Sequence, residues 1–135
     1  MMDINFWTIL IIWSIHFIAD FMLQTHEDAT NKWHSLRHLW NHVSTYSIVT
    51  GIAWGFTVGL DWHWSIVSLS IGAAFATHFV TDYFTSKWSH HFFAKEDFHN
   101  GFVIVGLDQL IHLATLLASY VFIDHAIANG LVPWL

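Results

Sequence analysis

Residues 6–23 read FWTILIIWSIHFIADFML, an almost wholly apolar stretch that nevertheless contains a histidine and an aspartate. Its length is close to the roughly 20 residues that an α-helix needs to cross a bilayer. An Asp at the centre of such a helix costs roughly 2.5 to 3.5 kcal/mol, so it normally faces a bundle interior and a partner. We therefore predict a transmembrane helix whose His16 and Asp20, one turn apart, point inward.

The composition of the whole chain agrees with a membrane protein. Of its 135 residues, 55% are hydrophobic and 18% aromatic, and only 10% are charged, against roughly 25% in a soluble domain. Three further apolar segments lie at about residues 42–60, 65–84 and 102–123. We predict a single domain, residues 1–135, that folds as an all-α integral membrane four-helix bundle.

The four basic residues indicate the orientation of this bundle. Lys32 and Arg37 lie in the connection between the first two spans, and Lys87 and Lys95 lie in the connection between the last two. Cytoplasmic loops collect positive charge, so we expect both connections in the cytoplasm. Both termini and the short turn at residues 61–63 would then lie outside. Because the N-terminus lacks a basic segment, the first apolar stretch is expected to remain as a transmembrane helix.

Charge and cysteine content exclude several classes of protein. The formal charge is −6, so the chain lacks the basic surface of a nucleic-acid-binding protein. Cysteine is absent, which excludes disulfides and thiolate ligands. Any metal site must therefore use nitrogen and oxygen ligands, a set that suits zinc, with manganese or iron as alternatives.

Histidine and aspartate residues are spaced to offer such ligands. Residues four apart lie on one face of a helix, and helices of alternating direction would bring these pairs to one layer in the cytoplasmic half. His34 and His38 lie in the polar connection and are expected to be solvated. The predicted metal ligands are His16, Asp20, His42, His78, Asp82, Asp108 and His112. The alternative is that these pairs hydrogen-bond to each other and only hold the helices together.

Seven ligands would suffice for one or two divalent ions, and this leads to a functional hypothesis. A water made acidic by the metal would attack a phosphate ester or lipid headgroup at the cytoplasmic face, with Asp20 or Asp108 as the base. Gln24 would orient a ligand or the water. Lys32 and Lys87 would either fix the topology or bind the phosphate.

The order of these motifs resembles a known family. The motifs are His16-x-x-x-Asp20-Phe21-x-Leu23-Gln24, Asn31-Lys32, His42-x-x-x-Tyr46, His78-x-x-x-Asp82-Tyr83 with Lys87, and Asp108-Gln109-x-x-His112. Together they resemble the small bacterial and phage membrane proteins of domain-of-unknown-function family thirty-three-oh-seven, over nearly the whole chain. The resemblance implies a bacterial inner-membrane protein and leaves the activity open. The His-rich first connection departs from the pattern and offers His34 or His38 as further ligands.

Two other functions are open at this point. The first is a proton or metal-ion relay through the bundle, although the outer segments Ile9–Trp13 and Thr115–Ile123 lack an ionisable path comparable to the His/Asp layer. The second is an accessory subunit of a larger membrane complex, with or without a haem held by two histidines. The lipid bilayer is the expected environment in every case, and the small size favours a homo-oligomer or a larger complex.

Overall fold

The computed structural model of the protein describes residues 6–57 and 64–129. These residues form helices and turns and include no strand, which confirms the all-α prediction. The predicted turn at residues 61–63 lies outside them. The helices are α1 (Phe6–Phe17), α2 (His26–Asn31), α3 (Leu36–Thr57), α4 (Trp64–Phe93) and α5 (Phe98–Ala128).

The first apolar segment ends in a wide helical turn. After α1 the chain continues as a π-helix, Ile18–Met22, in which the Leu23 amide donates to the Ile18 carbonyl at 3.0 Å. The single extra residue in such a turn shifts the side chains that follow, and π-turns are frequent at functional sites. Asp20 lies in this turn and is buried, with 3% of its surface exposed.

The first connection is more ordered than the sequence predicts. It contains the short helix α2, whose N-cap Thr25 accepts a hydrogen bond from the Asp28 amide at 3.1 Å. This cap satisfies a backbone donor that the helix itself leaves free. The next helix begins at Leu36, six residues before the predicted second span. His42 therefore lies inside α3, whereas the sequence analysis placed it at the first residue of the helix.

Close packing of α3 against α4 depends on small residues in α3. Ser47, Gly51 and Gly55 recur every four residues along one face. A Cβ on Gly51 would overlap the Ile71 side chain of α4, and a Cβ on Gly55 would lie 2.9 Å from Val67 Cγ2. Small residues at this spacing let two helix backbones approach closely, as in many membrane helix pairs.

The last two helices are longer than the predicted spans. α4 continues to Phe93, and a tight turn joins it to α5. In this turn Glu96 adopts a φ of 59°, and the Asp97 amide donates to the Phe92 carbonyl at 3.0 Å. This left-handed residue ends α4 in the manner of a Schellman motif. Both basic connections lie at the same end of the bundle, because Trp33 stacks on His90 with ring centroids 3.6 Å apart.

Hydropathy gives a more limited result than the prediction of four spans. Within the described residues, one helical segment, Phe98–Ile123, is both long and apolar enough to cross a membrane, and Phe6–Met22 is apolar but shorter. α3 and α4 bury polar side chains such as Ser47, His42 and His78, which lower their mean hydropathy. The four-span membrane bundle therefore remains a proposal.

Candidate metal centre

Six of the seven predicted ligands meet at one level inside the bundle, and each is at most 3% exposed. They form three overlapping groups in which the ligand atoms all lie within 4.8 Å of one another. The groups are His16, Asp20 and His112; Asp20, His42 and His78; and His78, Asp82 and His112. Asp20 lies in the π-turn, His42 on α3, His78 and Asp82 on α4, and His112 on α5.

Four atoms from three elements surround one small space. His42 Nε2 lies 2.9 Å from His78 Nε2, 3.0 Å from Asp20 Oδ1 and 3.2 Å from Asp82 Oδ2. His78 Nε2 lies 3.4 and 3.5 Å from the same two carboxylate oxygens. A tetrahedral ion with bonds of 2.0 to 2.1 Å separates its ligands by about 3.3 Å. Five of the six separations among these atoms are therefore close to the edge of a tetrahedral site, and the two carboxylates belong to different ligand groups.

Each of the two carboxylates also has an oxygen directed at a second group. Asp82 Oδ1 lies 3.5 Å from His112 Nε2, and Asp20 Oδ2 lies 3.9 Å from His16 Nε2. Asp82 Oδ1 and His112 Nε2 are buried, and neither makes a hydrogen bond to any residue that the structure describes. Buried polar atoms normally have partners. A cation held by these residues would satisfy both atoms.

His16 differs from the other histidines because both of its ring nitrogens already have partners. Tyr46 Oη lies 3.1 Å from His16 Nδ1, and Gln109 Oε1 lies 2.8 Å from His16 Nε2. The neutral tautomer that fits these contacts donates from Nε2 to the amide and accepts from the tyrosine hydroxyl. In this arrangement His16 holds Gln109 in place and has no free lone pair for a metal.

Asp108 lies beside the three groups and belongs to none of them. Thr85 donates a hydrogen bond to its Oδ1, and Gln109 Nε2 donates to its Oδ2 at 3.0 Å. His112 Nδ1 lies 3.4 Å from Asp108 Oδ2. Carboxylates often orient a metal-binding histidine through its second nitrogen. The structure therefore gives Asp108 a position next to the ligands, and its predicted role as a ligand stays a prediction.

The charge of the centre also favours a cation. Lys32 Nζ lies 2.7 Å from Asp82 Oδ2. Burial lowers the pKa of the Lys32 ammonium, but the carboxylates of Asp82 and Asp20 outweigh it, and the net pKa shift is upward. Three carboxylates, including Asp108, and one ammonium leave a formal charge of −2 when the histidines are neutral. Buried charge is costly unless it is compensated, and one divalent ion would neutralise it.

A cavity of about 350 Å³ adjoins the centre at the end of the bundle that carries α2. Asp20, Asp108 and Gln109 line it, together with Gln24 and Lys32. Small-molecule sites usually have volumes of roughly 300 to 1,000 Å³. The structure thus brings Asp20 and Asp108, the predicted catalytic carboxylates, to one cavity. Gln24 and Lys32, which were predicted to assist them, line the same cavity.

Other residues considered in the sequence analysis lie elsewhere. Lys87 does not line this cavity, since its Nζ lies 3.3 Å from the centroid of the Tyr83 ring, a cation–π contact. His34 packs on Trp33, with ring centroids 4.5 Å apart. His38 Nδ1 lies 2.8 Å from Asp28 Oδ1 and therefore ties α3 to α2. Neither histidine belongs to the ligand groups.

Four polar residues that complete the site had no predicted role. Tyr46 and Gln109 belong to the sequence motifs, and Thr85 and Ser86 lie three and four residues after Asp82. Helical spacing therefore could have identified all four, because residues three or four apart lie on the same face. Thr85 and Ser86 were assigned to the polar connection, and in the structure they lie inside α4.

The fold and the centre define a helical protein with a buried cluster of histidines and aspartates that could hold a metal ion. The chain belongs to the family described as "Protein of unknown function (DUF3307)", which matches residues 6–132 and confirms the family resemblance. Neither a curated protein nor a solved structure matches the chain significantly.

Proposed function

We propose that this protein is a membrane-embedded, metal-dependent hydrolase that acts at the cytoplasmic face. One observation carries this proposal. The buried ligand groups adjoin a cavity through Asp20, and Asp108, a carboxylate outside the groups, lines the same cavity. Metal-assisted hydrolysis requires metal ligands, a carboxylate that does not bind the metal, and space for a substrate.

The residues suited to hold the ion are those whose ligand atoms converge. Asp20, His42, His78 and Asp82 supply two nitrogens and two oxygens, and His112 faces the second oxygen of Asp82. This set fits zinc, with manganese and iron as alternatives. A divalent ion bound there lowers the pKa of water toward neutrality and polarises the bond to be broken.

Asp108 is the better candidate for the general base, because Asp20 lies within the ligand groups. Thr85 and Gln109 hydrogen-bond to both oxygens of Asp108 and fix its orientation, and each oxygen keeps a second lone pair. In the proposed reaction Asp108 accepts one proton from water, whose oxygen bonds to the electrophilic atom of the substrate. The ester bond breaks, and the leaving alkoxide receives that proton from Asp108.

Exposed apolar side chains support the membrane part of the proposal. On α1, Trp7, Trp13 and Phe17 are 67, 56 and 53% exposed, and on α5, Phe102 and Leu110 are 65 and 63% exposed. Soluble monomers rarely expose contiguous apolar surfaces of this kind. A bilayer would cover them. The common end of the two basic connections supports the proposed orientation, with that end in the cytoplasm.

A proton or ion relay is less well supported because an apolar layer lies beyond the centre. Ile12, Trp54 and Leu116 are buried there and pack in one cluster. The four helices contribute no Asp, Glu, His, Lys or Arg to this part of the bundle, at residues 9–13, 48–57, 67–77 and 115–123. A site that opens at one end fits a substrate that enters and leaves by the same route.

Metal content is the first test of the proposal. Detergent-purified wild-type protein is expected to contain one or two divalent transition-metal ions per chain by elemental analysis, and His78→Ala is expected to lose them. His91→Ala is the matched control, because His91 lies on the same helix, is exposed and belongs to no ligand group. A metal-free wild-type protein, or equal metal in His78→Ala and His91→Ala, would contradict the proposal.

A hydrolysis assay tests the second part. Metal-loaded protein is expected to release alcohol from an ester substrate, and chelation followed by zinc should abolish and then restore the rate. Asp108→Asn is expected to keep its metal and to lose at least about a hundredfold in rate, the usual contribution of a general base. Loss of metal from Asp108→Asn would instead indicate that Asp108 orients His112.

A further inference from the structure

The cavity beside the metal centre is lined by hydrogen-bond donors as well as by carboxylates. Gln24 lies just after the π-turn, Lys32 ends α2, and Ser86 lies on α4 one turn beyond Asp82. Three separate segments of the chain therefore contribute donors to this cavity. Its lining also contains Asp20 and Asp108, whose charge a divalent ion would compensate.

Two of these donors have no partner within the part of the chain that the structure describes. The terminal amide nitrogen of Gln24 and the hydroxyl of Ser86 are both inaccessible to solvent and form no hydrogen bond. Leaving a buried donor without a partner costs roughly 1 to 3 kcal/mol, so such groups normally have a ligand or water. Both belong to residues that line the cavity, so a small shift of either side chain would bring its donor to an acceptor bound there.

We propose that these donors bind the phosphoryl group of the substrate, with Gln24 and Ser86 donating hydrogen bonds and Lys32, which is paired with Asp82, adding positive charge. The inference rests on the proposed hydrolase function and specifies its substrate class. A phosphoryl group presents several acceptor oxygens and negative charge, and it is recognised by donors of this kind together with a metal ion.

The rest of the cavity indicates that the phosphate carries an apolar group. Phe21, Phe93 and Val105 line it together with the polar residues, and Phe21 is 49% exposed. The volume of about 350 Å³ allows a group larger than inorganic phosphate. The shared chemistry is therefore a phosphate ester with an apolar substituent, supplied either by a lipid headgroup in the bilayer or by a soluble ester.

Inorganic phosphate is the first probe. Equilibrium dialysis of radiolabelled phosphate against metal-loaded protein in a neutral detergent is expected to show saturable binding. Gln24→Glu replaces a donor with a carboxylate of similar shape and should weaken binding by at least about tenfold. Ser86→Ala removes one hydroxyl and should weaken it by about three- to tenfold. Metal content, measured on the same samples, is expected to stay unchanged in both variants.

Thr81→Ala is the matched control for Ser86→Ala. Thr81 lies on the same helix, and its hydroxyl donates to the Thr77 carbonyl at 2.9 Å, outside the cavity. Its phosphate affinity is expected to remain within about twofold of the wild type. Circular dichroism and gel filtration of each variant would establish that it is folded before its affinity is compared.

Two further probes distinguish the sources of the phosphate. Phenyl phosphate in solution, and vesicles of phosphatidylcholine with or without phosphatidate, are each tested as competitors of radiolabelled phosphate. Competition by phenyl phosphate identifies a soluble ester, and competition only by phosphatidate vesicles identifies a lipid. Either result supports the phosphoryl site, provided that the same competitor binds more weakly to Gln24→Glu.

Failure of this inference can be separated from failure of the hydrolase proposal. If metal-loaded wild-type protein binds no radiolabelled phosphate, the proposed phosphoryl site is wrong, but the metal centre is not contradicted. Phosphate binding that is equal in wild type, Gln24→Glu and Ser86→Ala would also overturn the phosphoryl site. A wild-type protein without metal would contradict the hydrolase itself, and the metal analysis of the same samples reports this directly.

Discussion

The Lys32 ammonium lies 2.7 Å from Asp82 Oδ2, and this same oxygen lies 3.2 Å from His42 Nε2 within the ligand groups. A side chain from the first connection therefore compensates the charge of a carboxylate buried in α4. With a divalent ion bound, the ammonium and the ion would share one oxygen. Without the ion, Lys32 is the cation nearest to this carboxylate in the structure, so it should matter most for the metal-free protein.

Lys32→Met is therefore expected to destabilise the metal-free protein more than the metal-bound one. Loss of a hydrogen bond between charged groups costs about 1.5 to 3 kcal/mol. Thermal unfolding in chelator should show a lower Tm than wild type, and added zinc should raise the Tm of the variant by more than that of wild type. Lys95→Met is the control, since Lys95 is exposed and far along the chain in the α4–α5 turn. An equal response to zinc in Lys32→Met and wild type would contradict this interpretation.

Asp82→Asn and Asp108→Asn should separate a ligand from a neighbour of the ligands. Asp82 lies within 3.5 Å of three histidine nitrogens, so its amide variant is expected to lose metal affinity by at least about a hundredfold. Asp108 belongs to no ligand group, so Asp108→Asn is expected to keep its metal. Competition with a zinc-binding dye measures both affinities. Equal losses in the two variants would contradict this distinction between a ligand and a neighbour of the ligands.

Much of the candidate site could be predicted from the sequence because ionisable residues are rare in apolar segments. His16, Asp20, His78 and Asp82 were identified by their depth and four-residue spacing, and the structure brings them together. Their individual roles could not be predicted. The two hydrogen bonds that occupy His16 depend on Tyr46 and Gln109, and such contacts across helices have no pattern in a single sequence.

The helix boundaries were predicted less well, for a physical reason. Hydropathy assigns a polar segment to a loop, but Ser86, Ser89 and His90 are polar because they line a cavity, and α4 continues through them to Phe93. The π-turn at Ile18–Met22 was also missed. One extra residue in a helical turn changes the direction of Asp20 without changing the hydropathy of the segment.

Gly51→Ala should destabilise the bundle even though alanine favours helices. A Cβ at this position would overlap Ile71 and lie 3.3 Å from the Val67 carbonyl oxygen, so α3 and α4 would have to separate. Overpacking of this kind costs about 1 to 3 kcal/mol. Gly72→Ala is the control, because a Cβ there meets nothing within 4 Å, and it should stabilise the helix by about 0.5 to 1 kcal/mol. Thermal unfolding in detergent measures both, and a higher Tm for both variants would contradict the proposed close packing.

Asp28 should make the attachment of α2 to α3 dependent on pH. Burial raises the pKa of the Asp28 carboxyl, but hydrogen bonds from His38 and Thr25 outweigh it, and the net pKa lies below the ordinary value. A carboxyl with a lowered folded-state pKa stabilises the fold above its unfolded pKa and loses this contribution as the pH falls through the folded pKa.

Asp28→Asn is therefore expected to be less stable than wild type above about pH 5, with a difference that shrinks as the pH falls below about 4. Unfolding by denaturant, followed at several pH values between about 3 and 7, measures this difference. Thr30→Ala, at an exposed position of α2 whose hydroxyl donates to the His26 carbonyl and not to a titratable side chain, is expected to show no such convergence. A difference between Asp28→Asn and wild type that is the same at pH 3 and pH 7 would contradict the ion pair with His38.

The absence of cysteine makes the membrane topology directly testable, because each introduced thiol is labelled without background. Glu27→Cys and Ala94→Cys place thiols in exposed positions of the two basic connections, and Asn129→Cys places one just beyond α5. If those connections face the cytoplasm, a membrane-impermeant maleimide should label Asn129→Cys in intact cells and the other two only after the membrane is opened. Labelling of Glu27→Cys and Ala94→Cys from opposite sides would contradict the four-span bundle. Labelling of all three from one side would leave α5 unable to cross the bilayer, and the exposed apolar face of α5 would then have to be covered by another protein chain.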